Sequence, residues 1–275
     1  MRYTIYLIFI SVFFFASVPV SQGSTKQKID DFYLSNFKKD GSSDWEIEGK
    51  EAIVDGDYIN IKTMSANYYT DGDTISAKSN KARLNKKNQN IQLDGNVVIE
   101  NKEGWNLKTE HLDWQQKKNY IKTDSPVHTE KDEFLVKAEG LYADSQLKKA
   151  DFKKDVQVTY REKDKKDATT INCDGPLEID YNKSQATFKD NVVVNHAQGK
   201  LFSDAATLFF DRKEKAITKI VSEGHVKIVR DSNVTFAKKA TYLAGEEKLI
   251  LEGSPRLIYF PDEENNGSSG FFGMD

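Results

Sequence analysis

The side chains able to do chemistry in this 275-residue chain are scattered. Four histidines, His111, His128, His196 and His225, share no metal-ligand spacing, and mostly fall in the polar phase of alternating segments, where solvated positions are expected. Cys173 is the lone cysteine, so an intrachain disulfide and a multi-cysteine zinc site are excluded; a small buried apolar side chain is expected there. The patterns GxGxxG, GxxxxGK[ST], HExxH and GxSxG are missing, which removes the usual phosphate loops, zinc helices and serine nucleophile turns. Acidic residues are plentiful but sit in lysine-rich turns such as Asp164-Lys165-Lys166-Asp167. Asn182-Lys183-Ser184 and Asn233-Val234-Thr235 match glycosylation acceptors, a pattern short enough to arise by chance. No catalytic residue, metal ligand or cofactor is expected.

Composition narrows the field further. Lys and Arg number 40 against 43 Asp and Glu, a net charge of −3 that argues against a nucleic-acid binder. With 38% hydrophobic and 30% charged residues, the chain suits an elongated protein with a thin core. Residues 1–23 stand apart: Met1-Arg2, then Tyr3 to Val20 without a charge, then Ser21-Gln22-Gly23. This is a signal peptide, with small residues placed for cleavage, or an N-terminal membrane anchor. Either reading exports the rest. The tail 261–275 is polar and Gly/Ser-rich and reads as disordered.

Between residues 30 and 260 no helical period stands out. Short apolar/polar alternations dominate, as in Trp45-Ile47-Gly49, Phe134-Val136-Ala138 and Val156-Val158, the period of a strand with one buried face. They also recur. LDGNVVI (93–99), DSPVHT (124–129), KKDVQVT (153–159), KDNVVVN (189–195), EGHVKIV (223–229) and GSPRLI (253–258) share a plan that reads as a polar turn followed by a short β-branched strand. Their markers Asn96, Pro126, Asp155, Asn191, His225 and Pro255 are spaced 30, 29, 36, 34 and 30 residues apart. Polar turns at 85–90, 115–119, 145–149, 211–215 and 245–248 read as hairpins. A period near 30 residues in all-strand sequence implies stacked repeats, each covering its neighbour's apolar face. The expected fold is all-β: an elongated, wrapped antiparallel sheet without an internal linker.

Alternation assigns an inward set: Val97, Ile99, Leu107, Val127, Phe134, Val136, Val156, Val158, Val192, Val194, Leu201, Val226, Ile228, Val234 and Phe236. These side chains either pack against one another as a closed core or line a groove. The end strands of such a stack leave backbone groups unpaired, so Phe32 to Phe37 (with Phe32, Leu34 and Phe37) and Arg256 to Phe260 (with Leu257 and Tyr259) are candidate docking edges for a partner strand.

Two stretches resemble a known family. Residues 31–100, with a strand and DG turn, a Trp-containing strand and a closing LDGNVVI strand, resemble the lipopolysaccharide-export protein LptC. Residues 171–260, carried by FKDNVVVNHAQGKLFSDAATLFFDRKEKAI and VTFAKKATYLAGEEKLILEGSPRL, resemble the OstA-like domain of LptA. The resemblance implies a β-jellyroll open along one side, with 24–122 LptC-like and 123–260 LptA-like on one continuous sheet. It implies lipopolysaccharide as cargo, with the inward set as its groove, and a periplasmic location at the inner membrane. The implied partners are an inner-membrane ABC transporter complex and an LptA-like or outer-membrane protein joined edge to edge; no nucleic acid is implied. The lysine-rich turns themselves read as solvated loops, with contact between a subset of them and lipid phosphates at the groove mouth as the alternative. The rival readings are a secreted β-solenoid enzyme acting on polysaccharide and an adhesin.

Overall fold

The computed structural model describes residues 26–70, 72–161, 167–214 and 216–260. The leader 1–23 and the tail 261–275 lie outside the described residues. Among the described residues seventeen strands form one sheet. They are β1 (Gln27–Phe37), β2 (Ser43–Asp55), β3 (Tyr58–Tyr69), β4 (Thr74–Asn85), β5 (Asn90–Asn101), β6 (Asn106–Gln115), β7 (Tyr120–Lys131), β8 (Phe134–Asp144) and β9 (Lys149–Arg161). Then come β10 (Ala168–Cys173), β11 (Leu177–Asp180), β12 (Gln185–His196), β13 (Gly199–Asp211), β14 (Ala216–Arg230), β15 (Asn233–Leu243), β16 (Lys248–Glu252) and β17 (Arg256–Ile258). All pairings are antiparallel, and most join chain neighbours, as in a meander: β5 to β6, β8 to β9, β13 to β14. Two rungs are broken: β10 and β11 both pair with β9 and β12, and β16 and β17 both pair with β15.

The expected all-β wrapped sheet is therefore present, with one correction. The polar segments that recur every thirty residues or so are not turns between strands. They are bends inside strands. Asn96, Asp155, Asn191 and His225 adopt left-handed backbone with φ of 49°, 52°, 52° and 42°. The pairing slips at the same points, between Asp94 and Val97, Lys189 and Val192, and Glu223 and Val226. Sequences such as Asp-Gly-Asn fit both a hairpin turn and a bulge, because both need a residue with φ above zero. Here the chain continues in the same direction after the slip. Pro126 sits just after the slip that follows Thr123, and Pro176 and Pro255 sit within the breaks between β10 and β11 and between β16 and β17, as expected of a residue that cannot donate to the ladder. The polar stretches between consecutive strands, 116–118, 145–148 and 212–214, are the true turns.

Lined up from rung to rung, the bends form a spine along which the sheet folds over on itself. The halves of each strand become two facing walls. Inward hydroxyls beside the spine bond carbonyls freed by the slips: Ser79 Oγ donates to Lys81 O at 2.8 Å and Thr109 Oγ1 to Pro126 O at 2.9 Å. Outside, side chains of neighbouring rungs pair along the spine, as in His111 with Asp94 at 2.7 Å and Asn191 with Asp174 at 2.7 Å. At Gly224 (φ +75°) an added Cβ would lie 2.2 Å from Asp204 Oδ2, so the bend there has room only for hydrogen.

Opposite the spine, the turns of the two walls form two rims. Among the described residues no backbone hydrogen bond joins them. Side chains reach across mid-length: Asn101 Nδ2 to Gln146 O at 3.5 Å and Lys148 to Glu103 at 3.8 Å. Between the walls one hydrophobic cluster runs from Ile47 to Leu208, and Leu93, Val97, Leu107, Leu112, Val127 and Leu141 are wholly buried. Burial then fades: Ile250 is 37% exposed and Leu257 66%.

Candidate functional site

Between β9 and β13 the two walls do not close on each other. A cavity of about 80 Å³ remains, lined by Phe134 and Val136 of β8 and Val158 of β9 on one wall, and by Leu177, Ile179, Ala186, Phe188, Leu208 and Phe210 of β11, β12 and β13 on the other. These are alternate residues on their strands, so the period of two that buries them also makes the lining apolar. Ala186 is small where its neighbours Phe188 and Leu208 are large, which leaves a slot between them. Aromatic pairs stiffen the sides: Phe134 stacks on Tyr160 at 4.8 Å, and Tyr181 tilts against Phe210 at 5.8 Å.

The mouth of the slot is polar and is built from both rims. Trp105 and Tyr181 meet edge to face across it at 6.3 Å. Lys131 Nζ donates to Glu103 O at 2.6 Å and lies 5.3 Å and 5.0 Å from the Trp105 and Tyr181 rings, so aromatic faces and a carbonyl hold a largely buried ammonium. Arg212, exposed on the opposite rim, places its guanidinium carbon 5.6 Å from the Tyr181 ring centre. Asp132 and Asp211 also border the opening. The Asp211 carboxylate accepts the backbone N–H of Lys213 at 2.6 Å and of Glu214 at 3.0 Å, which holds its pKa below the ordinary aspartate value. Two buried polar groups of the lining, Trp105 Nε1 and Thr129 Oγ1, have no hydrogen-bond partner among the described residues. The indoles of Trp45 and Trp114 are likewise unpartnered but are not part of this lining.

Of the inward set read from sequence, Phe134, Val136 and Val158 line the slot. Val97, Ile99, Leu107, Val127, Val156, Val192 and Val226 are at most 2% exposed and pack elsewhere in the interior. Val194, Leu201, Ile228, Val234 and Phe236 are half-buried. Among the docking-edge residues, Phe37, Leu257 and Tyr259 are exposed, while Phe32 and Leu34 are half-buried and pack against the core. Sequence reasoning missed Trp105, Leu177, Ile179, Tyr181, Ala186, Phe188, Leu208 and Phe210. Their alternation was visible in Leu177/Ile179, Ala186/Phe188 and Leu208/Phe210, but only the approach of the two walls shows which rungs stay apart. Among the described residues no group of three His, Cys, Asp or Glu side chains could hold a metal ion. Cys173 is buried, its thiol pushed up to about 11 chiefly by burial.

Residues 4–161 match the family model described as lipopolysaccharide-assembly, LptC-related. The chain belongs to this family. Residues 170–270 match a second model, described as LptA/(LptD N-terminal domain) LPS transport protein. Both resemblances read from the sequence hold, and the LptC-related match extends past residue 100 to the end of β9. The slot lies where the two matched stretches meet, with Val158 on one side and Leu177 on the other. Comparison with curated proteins gives no match. As an LptC-related chain with a second transport module on the same sheet, the molecule is a scaffold for lipopolysaccharide transport.

Proposed function

We propose that this LptC-related scaffold sits in the periplasm at the inner membrane, held or exported through its N-terminal apolar segment. It receives lipopolysaccharide from an ABC transporter complex and passes the acyl chains along the trough between its walls, towards the outer membrane. The observation that carries this reading is the apolar slot between rims that no backbone hydrogen bond joins among the described residues. An exposed methylene costs about 0.8 kcal/mol, so a lipid with several acyl chains crosses water only under cover. A trough of repeating rungs offers similar cover at every level, which lets cargo advance without large traps. The push must come from outside, because the chain has no nucleotide-binding motif.

In this reading 24–122 and 123–260 act as successive lengths of one conduit; Phe134, Val136 and Val158 of the inward set face the cargo at the slot, and the buried members, packed on one another in the lipid-free chain, meet it only where the walls part. The chain does no chemistry on it. The outer edges of β1 and of β16 and β17, unpaired among the described residues and with Phe37, Leu257 and Tyr259 exposed, take partner strands by edge-to-edge addition. The test is a photo-crosslinking amino acid placed in cells at Val136, Val158 or Leu208, with exposed Lys227 as the outward control. Lipopolysaccharide adducts at the three interior positions and none at Lys227 are expected. Equal labelling at all four, or none, would refute the trough.

A further inference from the structure

On the outer surface of the sheet, away from the slot, residues of β7, β8, β9, β11 and β12 border an open cleft of about 640 Å³. The period of two that turns Ile121, Ala143, Ala150 and Ala186 inward turns Tyr120, Tyr142, Asp151, Glu178, Gln185 and Thr187 outward into it. Tyr120 and Tyr142 form an aromatic step, with ring centres 5.0 Å apart and planes inclined by 36°. Tyr142 is 49% exposed, so much of its ring is open to a ligand.

Polar groups follow from rung to rung. Asp151 stands directly opposite Tyr142 on one side and Glu178 on the other. Two carboxylates facing each other across a ladder repel. Lys189 answers Glu178 at 2.6 Å, but Asp151 Oδ1, screened from solvent, has no hydrogen-bond partner among the described residues. Burial first, and Glu178 second, push the Asp151 carboxyl above the ordinary aspartate value. Other carboxylates of the lining are engaged: Asp144 accepts the backbone N–H groups of Gln146, Lys148 and Lys149, and Asp180 that of Lys183. A ligand that fits the cleft therefore donates to Asp151 while lying on the tyrosines. A cation would meet Lys118, Lys149 and Lys183 at the border, and an anion would meet Asp151 and Glu178. A neutral ligand with many hydroxyls and a flat C–H face meets neither obstacle, and Asn119, Gln185 and Thr187 supply amides and a hydroxyl to match it.

We propose that this cleft binds a saccharide, a short run of uncharged sugar rings, on the outside of the wall and apart from the slot. One ring lies on Tyr120 and Tyr142 and donates a hydroxyl hydrogen to Asp151 Oδ1. The next rings cross β11 and β12 past Glu178 and Thr187. The site goes beyond the transport reading, since it holds the molecule to a glycan whether or not the trough is loaded. The same ligand chemistry has two sources, the sugar portion of the cargo and a separate polysaccharide.

The test is calorimetric titration of the purified chain with three soluble probes: dephosphorylated core oligosaccharide released from lipopolysaccharide, an N-acetylglucosamine tetramer, and tetralysine. At least one saccharide should bind at millimolar concentration or below, and tetralysine should not. Binding of the first saccharide alone assigns the site to the cargo, and binding of the second alone to a separate glycan. Tyr142→Ala should weaken binding at least about tenfold, and Asp151→Asn about three- to tenfold. Asp151→Asn keeps the side chain's shape and removes a like-charge contact, so its urea midpoint at pH 7 should be unchanged or higher. Lys227→Gln, on another part of the outer surface, should bind as wild type does. No binding of either saccharide at millimolar concentration, wild-type binding by Tyr142→Ala, or tighter binding of tetralysine than of both saccharides would overturn the proposal. Lipopolysaccharide crosslinking at Val158 should be the same in Tyr142→Ala as in the parent chain, which separates failure of this site from failure of the trough.

Discussion

Filling the slot from inside gives a test whose sign is informative. Ala186 is 7% exposed and faces the cavity of about 80 Å³ between Phe188 and Leu208. Ala186→Leu adds three carbons. If the space is empty in the lipid-free chain, those carbons gain up to about 2 kcal/mol at 0.8 kcal/mol each, less what rotamer restriction removes. The variant should then unfold in urea at the same or a higher midpoint with an unchanged m-value. The filled slot also excludes an equal length of acyl chain, so lipid affinity should fall by at least about tenfold. A closed, well-packed core behaves in the opposite way, since overpacking costs about 1–3 kcal/mol. Loss of more than about 1 kcal/mol of stability together with undiminished lipid binding would refute the claim that this space is a lipid site.

Three further outcomes follow from particular residues. Gly224→Val puts a branched side chain on left-handed backbone and against Asp204, and should cost about 2–4 kcal/mol by urea unfolding, whereas Gly56→Ala, in open space at φ +55°, should cost only about 1 kcal/mol. Cys173, with its thiol raised to about 11 and its Sγ donating to Gly175 O at 3.3 Å, should react with a disulfide reagent at pH 8 at least about a hundredfold more slowly in the folded than in the urea-unfolded chain. The Asp211 pKa is lowered in the fold, first by the Glu214 and then by the Lys213 backbone N–H. Its stabilising contribution is therefore complete above the unfolded aspartate value near 3.9 and is lost as pH falls through the folded one; Asp211→Asn should flatten the acid limb of stability against pH in that window and leave its shape at neutral pH unchanged.

Much of this architecture can be read directly from residue order. The period of two marks which side chains turn inward, and wholly buried Val97, Val127 and Val192 stand where alternation puts them. The thirty-residue recurrence marks successive hairpins. What local sequence does not disclose is partner identity. Asp94-Gly95-Asn96 has the composition of a hairpin turn, and only the pairing of Asp94 with His111 and of Val97 with Thr109 identifies it as a bend within one strand. The slot was hidden for a related reason. Leu208 and Phe210 on β13 are far in sequence from Phe134 and Val136 on β8, and their separation is set by how the walls fold about the spine. Lys131 was a further surprise: it occupies an inward position that alternation reserves for apolar residues, and it is kept there by aromatic faces and a carbonyl.

The meander has one more consequence. Because the backbone ladder pairs every rung only with the rungs before and after it, adding or deleting a hairpin leaves all other pairings in register. Each inserted hairpin lengthens the molecule by two strand spacings, about 9–10 Å, and brings its own corner and its own pair of wall segments. Two modules can therefore be spliced end to end without a tether, and the length of such a sheet can be changed rung by rung.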